Sequence, residues 1–320
     1  MNLKEKLSLN KELISNLKEE GRQFVSFSSL NLVNQCPRAY RMNYIDKIGV
    51  SGDNIYTYLG TIAHDLIERL YRDEITNEQA LSEWKDKFYN MDYVFVPYEN
   101  ALNEKIRIEM KEKNDKYSEN YYNSIYHYFK NFKKSNHKKF IQEEMTVLDF
   151  SKFFKSKPYD NFMFNGKIDF IGANTKNKTI DIIDYKTSTL YQGEKKQIHS
   201  YQLILYALSL ESLGYKIGKI GWDFLKYAKK IKKFKNGSIK ETIVKRTDLT
   251  DKDEFENAYV FIEYNLETKK EALKWVFSNI HKIVLLELHK DKDYNKVPLN
   301  YEPFYCKNLC GFYSLCDVRD

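Results

Sequence analysis

The chain has 320 residues, of which 42% are hydrophobic and 30% charged, a composition typical of a globular protein with a well-buried core. No apolar run approaches the roughly 18 residues that a membrane span requires, and the charged N-terminus lacks the apolar segment of a signal peptide, so we expect a cytoplasmic protein. The formal net charge of +7 permits nucleic-acid binding but does not require it.

The N-terminal part of the chain predicts a series of helices. Residues 1–22 show a charged, amphipathic helical pattern. After a short extended piece, Ser28 is a candidate N-cap for a second helix, which carries Cys36. In residues 56–74 apolar side chains recur at helical spacing, and His64 lies on that predicted helix.

Residues 71–142 form a predicted helical insertion that is rich in Tyr and Lys. One apolar stripe in it contains Tyr117, Tyr121, Ile125, Tyr128 and Phe132. Aromatic side chains interleaved with lysines can stack on nucleic-acid bases. The regular helical spacing nevertheless favours a face packed into the core.

From residue 140 onward the hydrophobic period changes from helical to alternating. We predict three strands, a helix and two more strands, over residues 140–150, 161–173, 178–188, 195–215, 219–230 and 238–247. The stretch 251–290 is predicted to be helical. Neither internal repeats nor a low-complexity linker interrupts the chain, so we expect one compact α/β domain over residues 1–320, with helical additions.

The second and third predicted strands form a hairpin that carries acidic residues, called here the acidic hairpin. Asp184 and Lys186 share one face, because residues two apart on a strand lie on the same side. If the hairpin is symmetric about Lys176 and Asn177, Asp169 lies opposite Asp184. Facing carboxylates repel unless a cation lies between them, and hard oxygen ligands suit Mg²⁺ or Mn²⁺. The alternative is a solvated strand face on which Lys186 pairs with one acid.

Short motifs around this hairpin resemble those of the PD-(D/E)XK nuclease superfamily. The pattern G-x-x-D covers Gly166–Asp169, and D-x-K-T covers Asp184–Thr187. The helix segment "GTIAH", which ends at His64, resembles the RecB-like branch of that superfamily. Downstream, Gln202 and Tyr206 resemble the Q-x-x-x-Y helix of the same branch, and their i, i+4 spacing places them on one helical face.

The resemblance implies a restriction-endonuclease-like fold, with a central mixed sheet flanked by helices, and a metal-dependent DNA nuclease. Its expected ligands of Mg²⁺ or Mn²⁺ are His64, Asp169, Asp184 and the carbonyl of Tyr185. The expected catalytic residues are Lys186, Asp169 and Asp184, with substrate contacts from Gln202 and Tyr206. An exonuclease acting on DNA ends, with single strands favoured, is the implied form of the activity.

The chain has four cysteines, Cys36, Cys306, Cys310 and Cys316. Disulfides are rare in a reducing cytosol, so the thiols point to a metal centre, either Zn²⁺ or an iron–sulfur cluster. By resemblance to AddB-type and CRISPR-associated iron-sulfur exonucleases, all four are expected to ligate a [4Fe-4S] cluster that connects Cys36 to the tail 300–320. Here the tail contains C-x3-C-x5-C, where those nucleases usually have C-x2-C-x5-C.

Nine basic residues and one acid lie in residues 226–246, called here the basic segment, which we expect to contact a DNA backbone. The expected partners are therefore DNA and, by resemblance, a helicase or recombination protein, in DNA repair, recombination, or phage or CRISPR DNA processing. Two alternatives stay open. One is a non-catalytic DNA-binding scaffold subunit of a helicase–nuclease or recombination complex, and the other is an enzyme that acts on RNA.

Overall fold

The structure is a computed structural model that describes residues 3–49, 54–96, 103–137, 140–290 and 293–316. Its helices are α1 (Leu3–Ser8), α2 (Asn10–Glu19), α3 (Phe27–Gln35), α4 (Pro37–Tyr40), α5 (Ile55–Tyr71), α6 (Asn77–Tyr89), α7 (Glu104–Lys130), α8 (Gly193–Ser212), α9 (Leu266–Leu288) and α10 (Pro303–Asn308). Its strands are β1 (Gln23–Val25), β2 (Phe140–Asp149), β3 (Phe162–Asn174), β4 (Thr179–Lys186), β5 (Ile217–Lys233), β6 (Ile239–Lys245) and β7 (Glu254–Ile262). None of these helices combines the length and apolar character needed to cross a membrane.

The strands form one mixed sheet in the order β1-β3-β4-β5-β6, in which β2 also pairs with β3 and β7 also pairs with β5. The long strand β3 pairs in parallel with β1 and antiparallel with β2 and β4. The long strand β5 pairs in parallel with β4 and antiparallel with β6 and β7. These two long strands therefore hold the sheet together on either side of β4.

Helices cover both faces of the sheet, and β4 separates the two cores. Ile182 packs into the core that includes side chains of α3, α8 and α9. Ile183 and Tyr185 pack into the core that includes α5, α6 and α7. This central sheet flanked by helices fits the restriction-endonuclease-like fold that the resemblance implied.

The N-terminal region differs in detail from the sequence prediction. The part of 1–22 that the structure describes contains two helices rather than one, because the helix is interrupted at Leu9. Residues 1 and 2 lie outside the described part. The N-cap of α3 is Ser26 and not Ser28, since Ser26 is extended and forms a reciprocal capping box with Ser29. Cys36 ends α3 and caps α4, so it lies between two helices rather than on one.

The predicted insertion over 71–142 contains α6 and α7 and ends in the first residues of β2. The expected core face of α7 is confirmed for Tyr121, Ile125 and Tyr128, which are buried. It is wrong for Tyr117, which is 48% exposed near the middle of the helix. Residues 97–102, 138 and 139 of this region lie outside the described part.

The strands predicted between residues 140 and 247 are confirmed, as is the helix at 195–215, with bounds shifted by a few residues. The helix predicted over 251–290 is wrong for its first third, because 254–262 is the strand β7. In that stretch Phe255, Tyr259 and Phe261 lie at even spacings, as the strand period requires. The helix α9 begins only after Asn265, which forms a capping box with Thr268.

Candidate active site

The acidic hairpin places two carboxylates side by side inside the protein. Phe170 lies opposite Ile183, and the following pairs continue in the same register to the turn, as the predicted symmetry requires. One further step in this register places Asp169 opposite Asp184. Both side chains are buried, and Asp169 Oδ2 accepts a hydrogen bond of 2.8 Å from the backbone N–H of Tyr185. Two neighbouring buried carboxylates require compensating positive charge.

Helix α5 supplies a histidine to the first carboxylate. Nδ1 of His64 lies 3.4 Å from Asp169 Oδ1, and its Nε2 donates to the carbonyl of Tyr185 at 3.1 Å. Burial lowers the pKa of His64, but the charge and hydrogen bond of Asp169 outweigh it and leave this pKa above its ordinary value. Burial in turn raises the pKa of Asp169, and the His64 charge and hydrogen bond bring it below the usual range. The histidine and the carboxylate therefore stabilise each other's charged forms.

The second carboxylate, Asp184, contacts Lys186 of its own strand, and α8 supplies a hydrogen-bond partner of that lysine. Lys186 Nζ lies 2.5 Å from Asp184 Oδ2 and donates to Gln202 Oε1 at 3.3 Å. Gln202 Nε2 in turn donates to the hydroxyl of Tyr206 at 2.9 Å. Burial lowers the pKa of Lys186, but the charge of Asp184 outweighs this and holds the amine protonated. Burial raises the pKa of Asp184 to about 6, although Lys186 partly offsets it.

The glycine of the G-x-x-D pattern has a packing reason. A Cβ added at Gly166 would lie 2.5 Å from Cε1 of Tyr206 and 3.0 Å from Cζ of Phe164. Only glycine therefore allows the ring of Tyr206 to pack against β3. The structure thus connects the motif on β3 to the Q-x-x-x-Y pattern on α8, which the sequence could not do.

The described residues at the hairpin are of the types that bind Mg²⁺ or Mn²⁺, but their side chains are not arranged around a common metal position. Two carboxylates, one imidazole and a backbone carbonyl are oxygen and nitrogen ligands of the kind these ions accept. Asp184 Oδ2 is buried and has no hydrogen bond of normal geometry. However, within the described ranges no group of three or more His, Cys, Asp and Glu side chains is arranged to hold a metal ion. At the hairpin, Asp169 contacts His64 and Asp184 contacts Lys186.

Comparison with models of protein families identifies the family of this chain. The sequence model of the PD-(D/E)XK nuclease superfamily matches residues 25–317, from the end of β1 to just beyond Cys316. The chain belongs to the PD-(D/E)XK nuclease superfamily. No curated protein matches the chain. Membership in this superfamily makes a metal-dependent nuclease the expected activity and DNA the expected ligand.

The superfamily match includes all four cysteines, and the structure brings them to one region, called here the cysteine region. Cys36, Cys310 and Cys316 pack with Met42 and Phe312 in a small apolar cluster. The four thiols form no disulfide. Burial raises the pKa of Cys310, the backbone N–H of Phe312 offsets part of this rise, and the charges of the other three cysteines add to it.

The fourth cysteine, Cys306, differs from the ligand arrangement that the sequence predicted. It lies on α10 and is buried, but it is not part of the apolar cluster of the other three. Its Sγ is directed at the carbonyl of Asn300, 4.0 Å away. Among the described residues, no three of the thiols are arranged to hold a metal ion. The packing of Cys36, Cys310 and Cys316 is therefore observed, whereas ligation by each of the four cysteines stays a prediction; residues 317–320 of the tail lie outside the described part.

Two arginines, which the sequence analysis did not single out, connect the cysteine region to the C-terminal half of the chain. Arg38 Nη2 donates to the carbonyls of Asn295 at 2.6 Å and Val297 at 3.0 Å. Arg41 donates to the carbonyls of His289 and Lys290, at the end of α9. Both guanidinium groups are buried. Their position directly after Cys36 and Pro37 was the available signal, but their acceptors are backbone atoms that a sequence does not reveal.

In the folded protein, fewer cations of the basic segment are available to bind a phosphate backbone than its sequence suggests. Four of its nine cations have partners within the protein. The ion pairs join Lys229 with Glu241 and Glu256, Lys230 with Asp253, and Lys233 with Glu254, while buried Arg246 donates to Leu225 O and Asn257 Oδ1. Most of the partner acids lie on or next to β7, outside the segment. Lys226 forms no ion pair with a described residue either, but it is largely buried against the ring of Tyr121. The expected backbone-binding strip is therefore reduced to Lys232, Lys235, Lys240 and Lys245, which form no ion pair with a described residue.

Proposed function

We propose that this protein is a Mg²⁺- or Mn²⁺-dependent deoxyribonuclease that removes nucleotides from DNA ends. The observation that carries the proposal is the pair of buried, facing carboxylates, Asp169 and Asp184, with Lys186 Nζ 2.5 Å from the second of them. Outside a catalytic or metal site, a buried acidic pair of this kind is a net loss of stability. On a PD-(D/E)XK scaffold the pair has a purpose.

In this proposal His64, Asp169, Asp184 and the Tyr185 carbonyl are the metal ligands. A bound Mg²⁺ or Mn²⁺ would polarise the phosphodiester and stabilise the leaving oxygen. Lys186 stays protonated in its buried position, so its ammonium group can orient the attacking water and balance the negative charge that develops at phosphorus.

Gln202 and Tyr206 have a narrower role in this proposal than the resemblance implied. Gln202 accepts from Lys186 and donates to the Tyr206 hydroxyl, so the three groups form one chain of hydrogen bonds. Tyr206 is 3% exposed, which leaves little surface for a substrate to touch. The pair therefore positions Lys186, and Gln202 alone is placed to reach the substrate.

An end-dependent reaction on single strands is the finer part of the proposal. Its support is the resemblance to the RecB-like branch, carried by His64, Gln202 and Tyr206. The test compares linear and circular single-stranded DNA of equal sequence, with matched RNA strands, in Mg²⁺ or Mn²⁺. We expect degradation of linear DNA alone. Cutting of the circle would replace an exonuclease with an endonuclease, and equal cutting of RNA would contradict the preference for DNA.

We also propose that the cysteine region holds a [4Fe-4S] cluster, with Zn²⁺ as the alternative. The support is that four free thiols lie close together, three of them in an apolar surrounding, which suits a cluster ligated by four cysteines. Cys306 would have to turn its Sγ away from the Asn300 carbonyl to become the fourth ligand.

The test of the cluster is purification without oxygen, followed by iron, sulfide and zinc analysis of the wild type, Cys310→Ser and Cys306→Ser. Iron and sulfide in similar amounts, reduced in both variants, support a cluster with four cysteine ligands. A full iron content in Cys306→Ser would remove that residue from the ligand set. Zinc without sulfide would replace the cluster, and neither metal would contradict both.

A second candidate function is a DNA-binding scaffold subunit that works with a helicase or recombination protein. The observation that favours it is that His64 contacts Asp169 and Lys186 contacts Asp184, while no group of the described residues is arranged to hold a metal ion. This candidate predicts DNA binding that weakens steeply with salt and no cleavage in any divalent ion. Metal-dependent cleavage by the purified chain would exclude it.

A further inference from the structure

A cavity of about 880 Å³ lies on the opposite face of β4 from the candidate active site. Ile183 and Tyr185 line it, whereas Asp184 and Lys186 point to the other face, since side chains alternate along a strand. Its remaining walls are the segment after α7, the turn of the acidic hairpin, and β7. The volume is in the range of natural ligand pockets. We call it the far-face cavity.

Two aromatic rings of the edge strand β7 line the far-face cavity. Tyr259 is 37% exposed and Phe261 is 42% exposed. Their rings are stacked, with nearly parallel planes at an angle of 15° and centroids 6.0 Å apart. The neighbouring strand has a glycine opposite Phe261, and a Cβ added at Gly221 would lie 2.8 Å from Cδ1 of that ring. The sheet therefore leaves room for an aromatic pair that stays partly open to solvent.

Three lysines lie around these rings without an acidic partner. Lys133, Lys176 and Lys219 line the cavity, are exposed, and form no ion pair with any described residue. Lys219 Nζ lies 5.1 Å from the centroid of Phe261, which places a cation beside the aromatic surface. Positive charge and open rings thus occur together.

Two of the three acidic residues that line the cavity form ion pairs with lysines, and the third, Asp181, is hydrogen-bonded to His137 and to the backbone N–H of Lys219. The pairs are Asp181 with His137 at 3.0 Å, Asp253 with Lys230 at 2.6 Å, and Glu256 with Lys229 at 3.0 Å. The first pair also fixes the cavity wall. A Cβ added at Gly172 would lie 2.5 Å from the His137 ring, so this glycine makes room for the histidine next to Asp181.

We propose that the far-face cavity binds a single strand of nucleic acid, with bases stacked on Tyr259 and Phe261 and phosphates contacted by Lys133, Lys176 and Lys219. Aromatic rings next to unpaired cations are the combination that single-strand binding proteins use, because every base has a face to stack and every linkage has a charge. The choice of nucleic acid as the ligand rests on the proposed function. The site itself lies behind the catalytic strand, so it would anchor the substrate away from the point of cleavage.

The test measures binding without divalent ions, so that cleavage plays no part. The full-length protein is titrated into two labelled strands of about 12 nucleotides, one of deoxythymidine and one abasic with the same backbone. We expect the wild type to prefer the strand with bases by about tenfold, and Phe261→Ala to remove most of that preference. We expect Lys219→Gln to weaken both strands alike and to lower the dependence of affinity on salt.

Matched control variants lie on another surface. Phe153 is 38% exposed and follows the exposed Lys152, so Phe153→Ala and Lys152→Gln remove the same groups elsewhere. The proposal is overturned if Phe261→Ala keeps the base preference, or if the controls weaken binding as much.

A further variant covers the case in which Phe261→Ala does not fold. Lys176→Glu lies in the exposed turn of the acidic hairpin, and we expect it to weaken both strands several-fold. Unchanged binding by Lys176→Glu would also overturn the proposal. Failure of the proposed nuclease function can be distinguished from failure of this binding proposal. The first is seen as an absence of cleavage with divalent ions, and the second as an absence of base preference in the binding test without them.

Discussion

The acidic hairpin and the cysteine region gather their chemical groups in different ways. In the hairpin each candidate side chain has a protein partner, from His64 with Asp169 to Lys186 with Asp184. In the cysteine region the thiols are close to one another, but the bonds that hold the region together come from Arg38 and its backbone acceptors. The first region is thus organised by its own functional groups. The cysteine region is instead held by bonds from Arg38 to backbone carbonyls, which do not involve the thiols. Such an arrangement leaves the thiols available to bind a metal or a cluster.

The largest expected effect breaks the organisation of the acidic hairpin. Asp184→Asn leaves Lys186 buried without its partner, and we expect a loss of roughly 3 kcal/mol in the free energy of unfolding. Adding Lys186→Met removes the second charge and should recover most of that stability. Both variants should lose cleavage by on the order of 1,000-fold. Urea unfolding and single-turnover cleavage measure the two effects, and equal stability of the single and double variants would contradict the pairing.

A second prediction concerns the packing of the same site. Gly166→Ala brings a methyl group into the ring of Tyr206, and we expect it to destabilise the protein by roughly 1–3 kcal/mol and to slow cleavage. Gly60→Ala is the matched control, because its Cβ would meet Thr187 Oγ1 at an ordinary 3.6 Å. Within helix α5 that change should stabilise by roughly 0.5–1 kcal/mol. Thermal unfolding of the two variants compares them, and equal shifts would show that Tyr206 does not require the glycine.

The third prediction tests what holds the cysteine region. Arg38→Ala removes donors to the carbonyls of Asn295 and Val297, and we expect a loss of about 2 kcal/mol in stability. The loss should be similar with and without a metal at the thiols. Arg72→Ala, at the exposed C-terminal end of α5 with Glu68 as its partner, should change stability by less than about 0.5 kcal/mol. If Arg38→Ala matters only in the metal-free protein, the thiols and their metal are the stronger connection.

The smallest expected effect concerns Lys226, which is largely buried but, unlike Lys186, forms no ion pair with a described carboxylate. Burial, with the charge of Lys245, lowers the pKa of Lys226 to about 8, and its ammonium group lies 4.8 Å from the centroid of Tyr121. Between about 8 and the ordinary 10.5, the unfolded chain binds more protons than the folded one, so the stability of the wild type rises with pH. Lys226→Met should stabilise by about 1 kcal/mol at neutral pH, an advantage that shrinks through this window. Urea unfolding at several pH values measures it, and a constant difference would contradict the lowered pKa.

The sequence predicted the acidic hairpin well because its information is local. Alternation assigned Asp184 and Lys186 to one face, and a symmetric turn fixed the register with Asp169. By contrast, β7 was missed because its alternation is short and carries glutamates that also suit a helix. Its pairing with β5 then brought acids to the basic segment, so the loss of charge there could not be predicted before the sheet order was known.

The remaining features of the site depend on contacts between distant parts of the chain. The sequence indicated Gln202 and Tyr206 as one helical face, but not that this face supports Lys186 or that Gly166 makes room for it. Cysteine spacing likewise could not show that Cys306 is directed at a backbone carbonyl. The far-face cavity combines an edge strand, a hairpin turn and the segment after α7, which no local pattern connects.

The most direct test of the central claim is single-turnover cleavage of linear single-stranded DNA by the wild type and by Lys186→Ala, with DNA binding measured on the same samples. We expect cleavage by the wild type only when Mg²⁺ or Mn²⁺ is present, and loss of cleavage with retained binding in the variant. Equal cleavage by both proteins, or DNA binding without any cleavage by the wild type, would contradict that claim.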